Sequence, residues 1–225
     1  MSDDEREEKE LDVSSPEGAT KYKNAAEIAK IVDICEKGDS FIRDQSGNMY
    51  KNVKKKIERG VGFPTCVSVN NTLCHFFPLA SDEVMLEEGD MVKIDMGCHI
   101  DGFIAVVAHT HVLQGGPVIG SQADVIAAAN TTAEVALRLL RPGRKNKDVI
   151  EAIQKVVAPY DCKIVEGVLC CQLKQFVIDG NKVVLSVLSP ETRFMQLIVT
   201  SIREGKPKLL DEKQTTIYKR AVHKN

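Results

Sequence analysis

The segment from Lys93 to Thr110, KIDMGCHIDGFIAVVAHT, restricts the fold more than any other part of the chain. Asp101-Gly102 is the strongest short hairpin-turn signal, because both residues tolerate the positive φ that a two-residue turn demands. Small and apolar residues run through Met91–Met96, and Phe103–Ala108 supplies the returning strand. With Asp101-Gly102 as the loop, Ile100 pairs with Phe103 and Asp95 faces Ala108, so Val106 becomes the diagonal, same-face neighbour of Asp95. Two divalent ions a few ångströms apart repel unless anionic oxygens bridge them, so a hairpin holding such a pair needs carboxylates at both positions. Asp95 supplies one, and Val106 has no donor to offer.

A chain of 225 residues with 43% hydrophobic residues has room for a sizeable core, as one large domain or two small ones. The formal net charge of −2 conceals segregation: Asp3–Asp12 is mostly acidic, whereas Lys51–Arg59 and Arg141–Lys147 are basic. The seven cysteines, Cys35, Cys66, Cys74, Cys98, Cys162, Cys170 and Cys171, show no CxxC spacing. With no secretory signal near the start, they predict reduced thiols in cytosol or nucleus, most simply as small buried hydrophobes. No apolar run is long enough for a membrane span, which predicts a soluble protein without membrane insertion.

Residues 1–20 are charged, poor in large apolar groups and broken by Pro16, the pattern of a disordered acidic tail. Residues 21–220 are read as the folded domain and 221–225 as a C-terminal tail. A first helix is expected over Ala25–Lys37, with Ile28, Ile31 and Ile34 as its stripe and Gly38 as its stop, followed by a short connection or strand over Phe41–Met49. Strands are expected at Cys66–Val69 and Leu73–Phe77 around an Asn70-Asn71 turn. Ser121, with Asp124 at capping-box spacing, opens a helix whose face carries Val125, Ala129, Ala133, Ala136 and Leu140 and which ends at Arg141-Pro142-Gly143. Asn146 caps a second helix through Val157, and strands follow at Lys163–Val165, Lys182–Leu188 and Phe194–Ser201. Helices flanked by hairpins from separated segments define an α+β or α/β domain.

Lys51–Arg59 places five cations in nine residues beside Tyr50, so Lys51, Lys54, Lys55, Lys56 and Arg59 are candidate phosphate contacts with an aromatic stacking surface. Arg144, Lys145 and Lys147 form a second cationic loop that extends this footprint if both lie on one face. His109 and His111 share a strand face, an acceptable metal geometry, but no third ligand accompanies them. Adjacent Cys170-Cys171 show no helix start or cation that would lower a thiol pKa.

The hairpin, together with Gly62–Thr65, Ser68–Asn71, Cys74-His75 and Val165–Gly167, closely resembles the pita-bread family that contains the type-two methionine aminopeptidases. Ile34–Asp39, Gly97–Thr110, Lys174–Gly180 and Thr215–Arg220 are similar to its non-peptidase branch, the proliferation-associated or ErbB receptor-binding proteins. The resemblance spans roughly Lys21–Arg220. It implies a partial pita-bread, creatinase/aminopeptidase-like α+β fold, with a curved, mostly antiparallel sheet covered by helices. In the aminopeptidases the ligands are two aspartates, a histidine and two glutamates. Here Asp95 keeps the first position, Val106 takes the second, and Val168 and the region of Leu197 take the histidine and first-glutamate positions, leaving the last glutamate beyond Asn225. No metal, no cofactor and no catalytic residue are therefore expected, and His75, Asp95 and His109 are read as a vestigial pocket.

The sequence also departs from that branch. The first helix lacks an insert before Ile31, Cys170-Cys171 stands where a Ser-His pair is expected, Phe176 where a histidine is, and the C-terminal half-sheet and lysine-rich tail are missing. About two-thirds of a pita-bread domain would remain, with strand edges uncovered. The resemblance implies a non-catalytic binder of RNA or ribonucleoprotein particles that regulates growth, with DNA and regulatory proteins as further partners, in the cytoplasm and nucleus or nucleolus. A metal-dependent methionine aminopeptidase and a poorly folded deletion paralogue competing for partners are the alternatives.

Overall fold

A computed structural model describes residues 30–54, 56–141, 145–166, 171–183, 193–195, 200–202, 205–206 and 208. The tails expected over 1–20 and 221–225 lie outside the described residues.

The first element, α1 (Ile31–Gly47), begins later and runs much further than the expected Ala25–Lys37, whose first residues lie outside the described set. Gly38 does not stop it. A Cβ at Gly38 would lie 2.6 Å from Thr65 Oγ1 and 2.8 Å from its Cγ2, so glycine is required by close approach within a continuing helix. The buried stripe is Ile31, Cys35, Asp39, Ile42 and Ser46, which carries the helix to Gly47, across most of the expected connection at Phe41–Met49. Asp39 Oδ1 accepts a 2.7 Å bond from the backbone N of Thr65, and Ser46 Oγ donates to Ile42 O, so these buried polar groups are partnered.

That helix packs on a three-stranded antiparallel sheet, β1 (Arg59–Val69), β2 (Met91–Ile100) and β3 (Phe103–Val112), in the order β1-β2-β3. Ile31, Cys35, Val67 and Val92 form the core between helix and sheet, with Ile34, Phe76, Phe77 and Ile94 around them. The β2–β3 register is the one expected: Ile100 opposes Phe103, Asp95 opposes Ala108 and Val106 opposes Gly97. Asp101 and Gly102 take φ of 51° and 78°, as the tight turn requires. Strand β1 starts earlier than expected, and Pro64 is accommodated between Phe63 and Cys66, where the register with β2 shifts. Leu73–Phe77 is not a strand. His75 has a φ of 58°, which breaks extended backbone, and only Val67 N to Phe76 O (2.9 Å) keeps a strand-like contact with β1.

Helices α2 (Gly120–Leu139) and α3 (Asn146–Val157) pack together, with Ala128, Val157 and Cys162 buried between them and the following segment. The buried face of α2 is Ala128, Thr132 and Ala136, with Val125 packed beside it: Val125 and Ala136 are as expected, while Ala128 and Thr132 stand one position before the expected Ala129 and Ala133. Neither helix shows the expected side-chain cap: Ile119 and Lys145 hold the N-cap positions without capping bonds. A 3-10 turn at Ala158–Tyr160 leads to β4 (Lys163–Ile164), which pairs with β8 (Thr200–Ser201). A second small sheet has the order β6-β5-β7, from β5 (Cys171–Lys174), β6 (Val177–Val183) and β7 (Arg193–Met195). Of the strand expected at Lys182–Leu188, Lys182 and Val183 form the end of β6, and 184–188 lie outside the described residues. Phe176, at the hairpin turn with φ 61°, donates its backbone N–H to Gly102 O and ties this sheet to the tip of the β2–β3 hairpin.

Candidate functional site

Strand register builds the site. Cys66 on β1 directly opposes Asp95 on β2, so their side chains leave the same face, opposite to Val67 and Ile94. The loop after β1 then brings His75 over them. Asn70 O accepts a 2.7 Å bond from Lys93 Nζ, Asn70 Nδ2 reaches Asp90 at 2.8 Å, and Phe76 N donates to Ser68 Oγ. These contacts and the left-handed backbone at His75 aim its ring at the sheet, where it meets Phe63 edge-on at 6.3 Å between centroids.

His75 Nδ1 donates to Asp95 Oδ2 across 2.7 Å, with the Asp95 side chain 8% exposed and that of His75 42%. The bond to Asp95, helped by contacts with the Cys66 and Cys74 thiols, pushes His75 up to about 12 against the opposing effect of burial. His75 is thus an imidazolium at neutral pH, a poor general base and a fixed partner for Asp95. Burial raises the Cys66 thiol, partly offset by its hydrogen bond to His75, and pushes the Cys35 thiol up to about 12. Burial also lowers Lys93.

Of the expected pocket residues, the structure joins His75 and Asp95 but not His109. His109 opposes Ile94, one residue away from the Asp95–Ala108 pair, and therefore leaves the other face of the sheet, where it is exposed. The residue that sequence reasoning missed is Cys66. From sequence it reads only as a small buried hydrophobe, a description that fits Cys35 and Cys162 but not the exposed Cys98. Its pairing with Asp95 depends on the register shift around Pro64, which no sequence pattern fixes.

A carboxylate-bridged pair of divalent ions does not fit these residues. Asp95 has Ala108 opposite and Val106 as its same-face neighbour, and among the described residues Cys66, His75 and Asp95 are the one group of three or more potential ligands. That set holds a single carboxylate. Val168 and Leu197 lie outside the described residues.

The basic segment lies between α1 and β1. Lys51, Lys54 and Lys56 are exposed, as is Tyr50, whose φ is 53°; Lys55 lies outside the described residues. Arg59 is half-buried and donates through Nη1 to Met49 O, so it braces the segment. Asp101 N donates to Glu58 O at 2.6 Å, placing the end of this segment beside the hairpin tip. The second cationic stretch belongs to a different part of the fold, at the start of α3. Lys145 is exposed there, Lys147 pairs with Glu151 at 3.7 Å, and Arg144 lies outside the described residues. Cys170, like the side chain of Cys171, is outside them too.

The sequence profile of metallopeptidase family M24 matches residues 18–184, and the chain belongs to that family. Within it the chain is 70% identical over 251 aligned residues to ErbB-3 binding protein 1 of Solanum tuberosum, a match covering 100% of this chain and 65% of that protein. Since this chain has 225 residues, the relative carries residues inside the matched region that this chain lacks, as the shortened segments imply. It is 40% identical over 191 residues to the curved DNA-binding protein of Schizosaccharomyces pombe, covering 77% of this chain and 50% of that one. The chain thus spans between half and two-thirds of the length of these curated relatives. Among solved structures, a thermophilic Arx1 superposes with a TM-score of 0.71 at 26% identity, over 93% of this chain and 71% of that one. The fold is the α+β pita-bread fold of this family. No helix among the described residues is long and apolar enough to cross a membrane.

Proposed function

We propose that this chain is a non-catalytic member of its family and works as a binder of RNA or ribonucleoprotein particles in growth regulation, in the cytoplasm and nucleus or nucleolus. The observation that carries this reading is the exposed cationic segment containing Lys51, Lys54 and Lys56 beside exposed Tyr50. Three mobile ammonium groups next to an aromatic face suit a phosphate backbone with unstacked bases. Lys145 at the start of α3 is a further contact. The yeast relative, 40% identical over 191 residues, is named for binding curved DNA, which supports a nucleic-acid partner here, and the potato relative is named for binding ErbB-3, which supports regulatory proteins as additional partners. The non-catalytic reading is supported by the donor set among the described residues, where the one group of three potential ligands holds a single carboxylate, bonded to His75, and so offers no pair of bridging carboxylates for two ions.

The test is twofold. Fluorescence anisotropy against a structured ribosomal RNA fragment at low salt should show saturable binding, and a flat titration overturns the binding reading. Metal-dependent release of methionine from a short peptide, lost in Asp95→Ala, would instead make the chain an aminopeptidase.

A further inference from the structure

We propose that Cys66, His75 and Asp95 form a mononuclear site for a borderline-soft divalent ion of the zinc class, fastening the 70–78 loop to the sheet. It is a different centre from a carboxylate-bridged ion pair, and it does not depend on nucleic-acid binding. One donor atom from each residue lies within 4.8 Å of the other two. In a tetrahedral zinc site, with metal–ligand bonds of about 2.0–2.3 Å, donor atoms stand roughly 3.3–3.7 Å apart. The Nδ1–Oδ2 separation of 2.7 Å must therefore open by less than an ångström, while the thiol moves inward. The ion replaces a proton between imidazole and carboxylate and displaces the thiol proton, which now points at Pro64 O across a 3.2 Å contact.

The three residues come from three places that the fold already fixes. Cys66 and Asp95 are opposed across adjacent strands, so neither needs backbone movement to share an ion. Both are buried, at 0% and 6% exposure, and the exposed side of the His75 ring is the way in. His75 holds a left-handed backbone that is unfavourable for a non-glycine residue, and such strain concentrates at ligand clamps. Water, or the thiol of Cys74 that contacts the His75 ring, completes the coordination.

Donor chemistry selects the ion. One sulfur, one imidazole nitrogen and one oxygen suit zinc or cobalt, whereas magnesium, calcium and manganese favour all-oxygen shells. The other chemistry open to a Cys–His–Asp cluster, nucleophilic catalysis, does not fit. Cys66 is fully enclosed, so no substrate carbon reaches its sulfur, whereas a small ion can enter beside the exposed His75 ring.

The test is cobalt titration of the whole chain after chelator treatment, followed by absorption. The expected result is one equivalent bound, with a thiolate-to-cobalt charge-transfer band, visible bands of tetrahedral intensity, and displacement of both by one equivalent of zinc. Cys66→Ser should remove the charge-transfer band and His75→Gln should weaken uptake at least tenfold, while magnesium should not compete. Cys98→Ser, at an exposed thiol, should change nothing. Zinc should also raise the midpoint of thermal unfolding of the parent chain but not of Cys66→Ser, whose circular dichroism reports whether it is folded. Failure to take up cobalt, or a band that survives Cys66→Ser and vanishes with Cys98→Ser, overturns the site. If Cys66→Ser does not fold, the His75→Gln titration decides, since that side chain is 42% exposed and its loss leaves the core intact.

Discussion

Replacing Gly38 by alanine sets two physical effects against each other with opposite signs. In the middle of a helix, alanine exceeds glycine in helix propensity by about 1 kcal/mol, so on local grounds the change stabilises. Position 38 is nonetheless closed: the new Cβ would stand 2.6 Å from Thr65 Oγ1 and 2.8 Å from its Cγ2. Thr65 cannot retreat, because it is 1% exposed and its backbone N–H is held by Asp39. Overpacking of this kind costs roughly 1–3 kcal/mol, and with both atoms inside 3.0 Å we place it at the upper end, about 2–3 kcal/mol. The net loss is about 1–2 kcal/mol. With a urea m-value of about 2 kcal/mol/M, the unfolding midpoint should fall by roughly 0.5–1 M in a single cooperative transition. In a Thr65→Ala background the penalty should shrink by at least about 1 kcal/mol, because the two clashing atoms are gone. A midpoint that rises by about 0.5 M, as propensity alone dictates, would refute the packing of α1 on β1.

Asp39→Ala leaves the buried Thr65 N–H without a partner and should cost about 1–3 kcal/mol in the same urea assay, with the fold retained. In metal-free protein, NMR titration of His75 should show no deprotonation through the neutral range, with ionisation only near 12, and Asp95→Asn should return it towards about 6.5. Because that value is raised on folding, the stability contributed by the His75–Asp95 pair is complete below about pH 6.5, declines as pH climbs and vanishes near 12. The stability gap between parent and Asp95→Asn should narrow accordingly in melts from pH 6 to pH 10. A thiol reagent applied to native protein should label exposed Cys98 and spare Cys35 and Cys66, both enclosed and both raised by burial, until denaturant is added.

What could be read in the sequence was whatever depends on neighbours along the chain. The Asp101-Gly102 turn fixes β2 against β3 by counting residues, so Asp95, Ala108 and Val106 fell where expected. The limits of α3 followed from its flanking breakers, although its expected cap does not form. Helix α1 was misjudged because its buried stripe includes Asp39 and Ser46, polar residues made acceptable by partners distant in sequence or one turn away, and because Gly38 signals a stop only when nothing packs against it. The β5–β6 hairpin was missed since its turn uses Phe176 at positive φ, a residue that advertises no turn. The same limit applied to the site. His75 and Asp95 were recognisable, but Cys66 joined them only through the pairing of β1 with β2 around a proline-containing irregularity. His109 was misplaced by one step of strand alternation, which transfers a side chain to the opposite face.

The salt dependence of RNA binding tests the central claim most directly. The association constant for a structured ribosomal RNA fragment should fall linearly with salt on logarithmic axes. Replacing Lys51, Lys54 and Lys56 together by alanine should flatten that slope by about 2, at ~0.7 per single-strand phosphate contact. An unchanged slope, or no binding by a folded protein, would contradict a nucleic-acid surface at this segment.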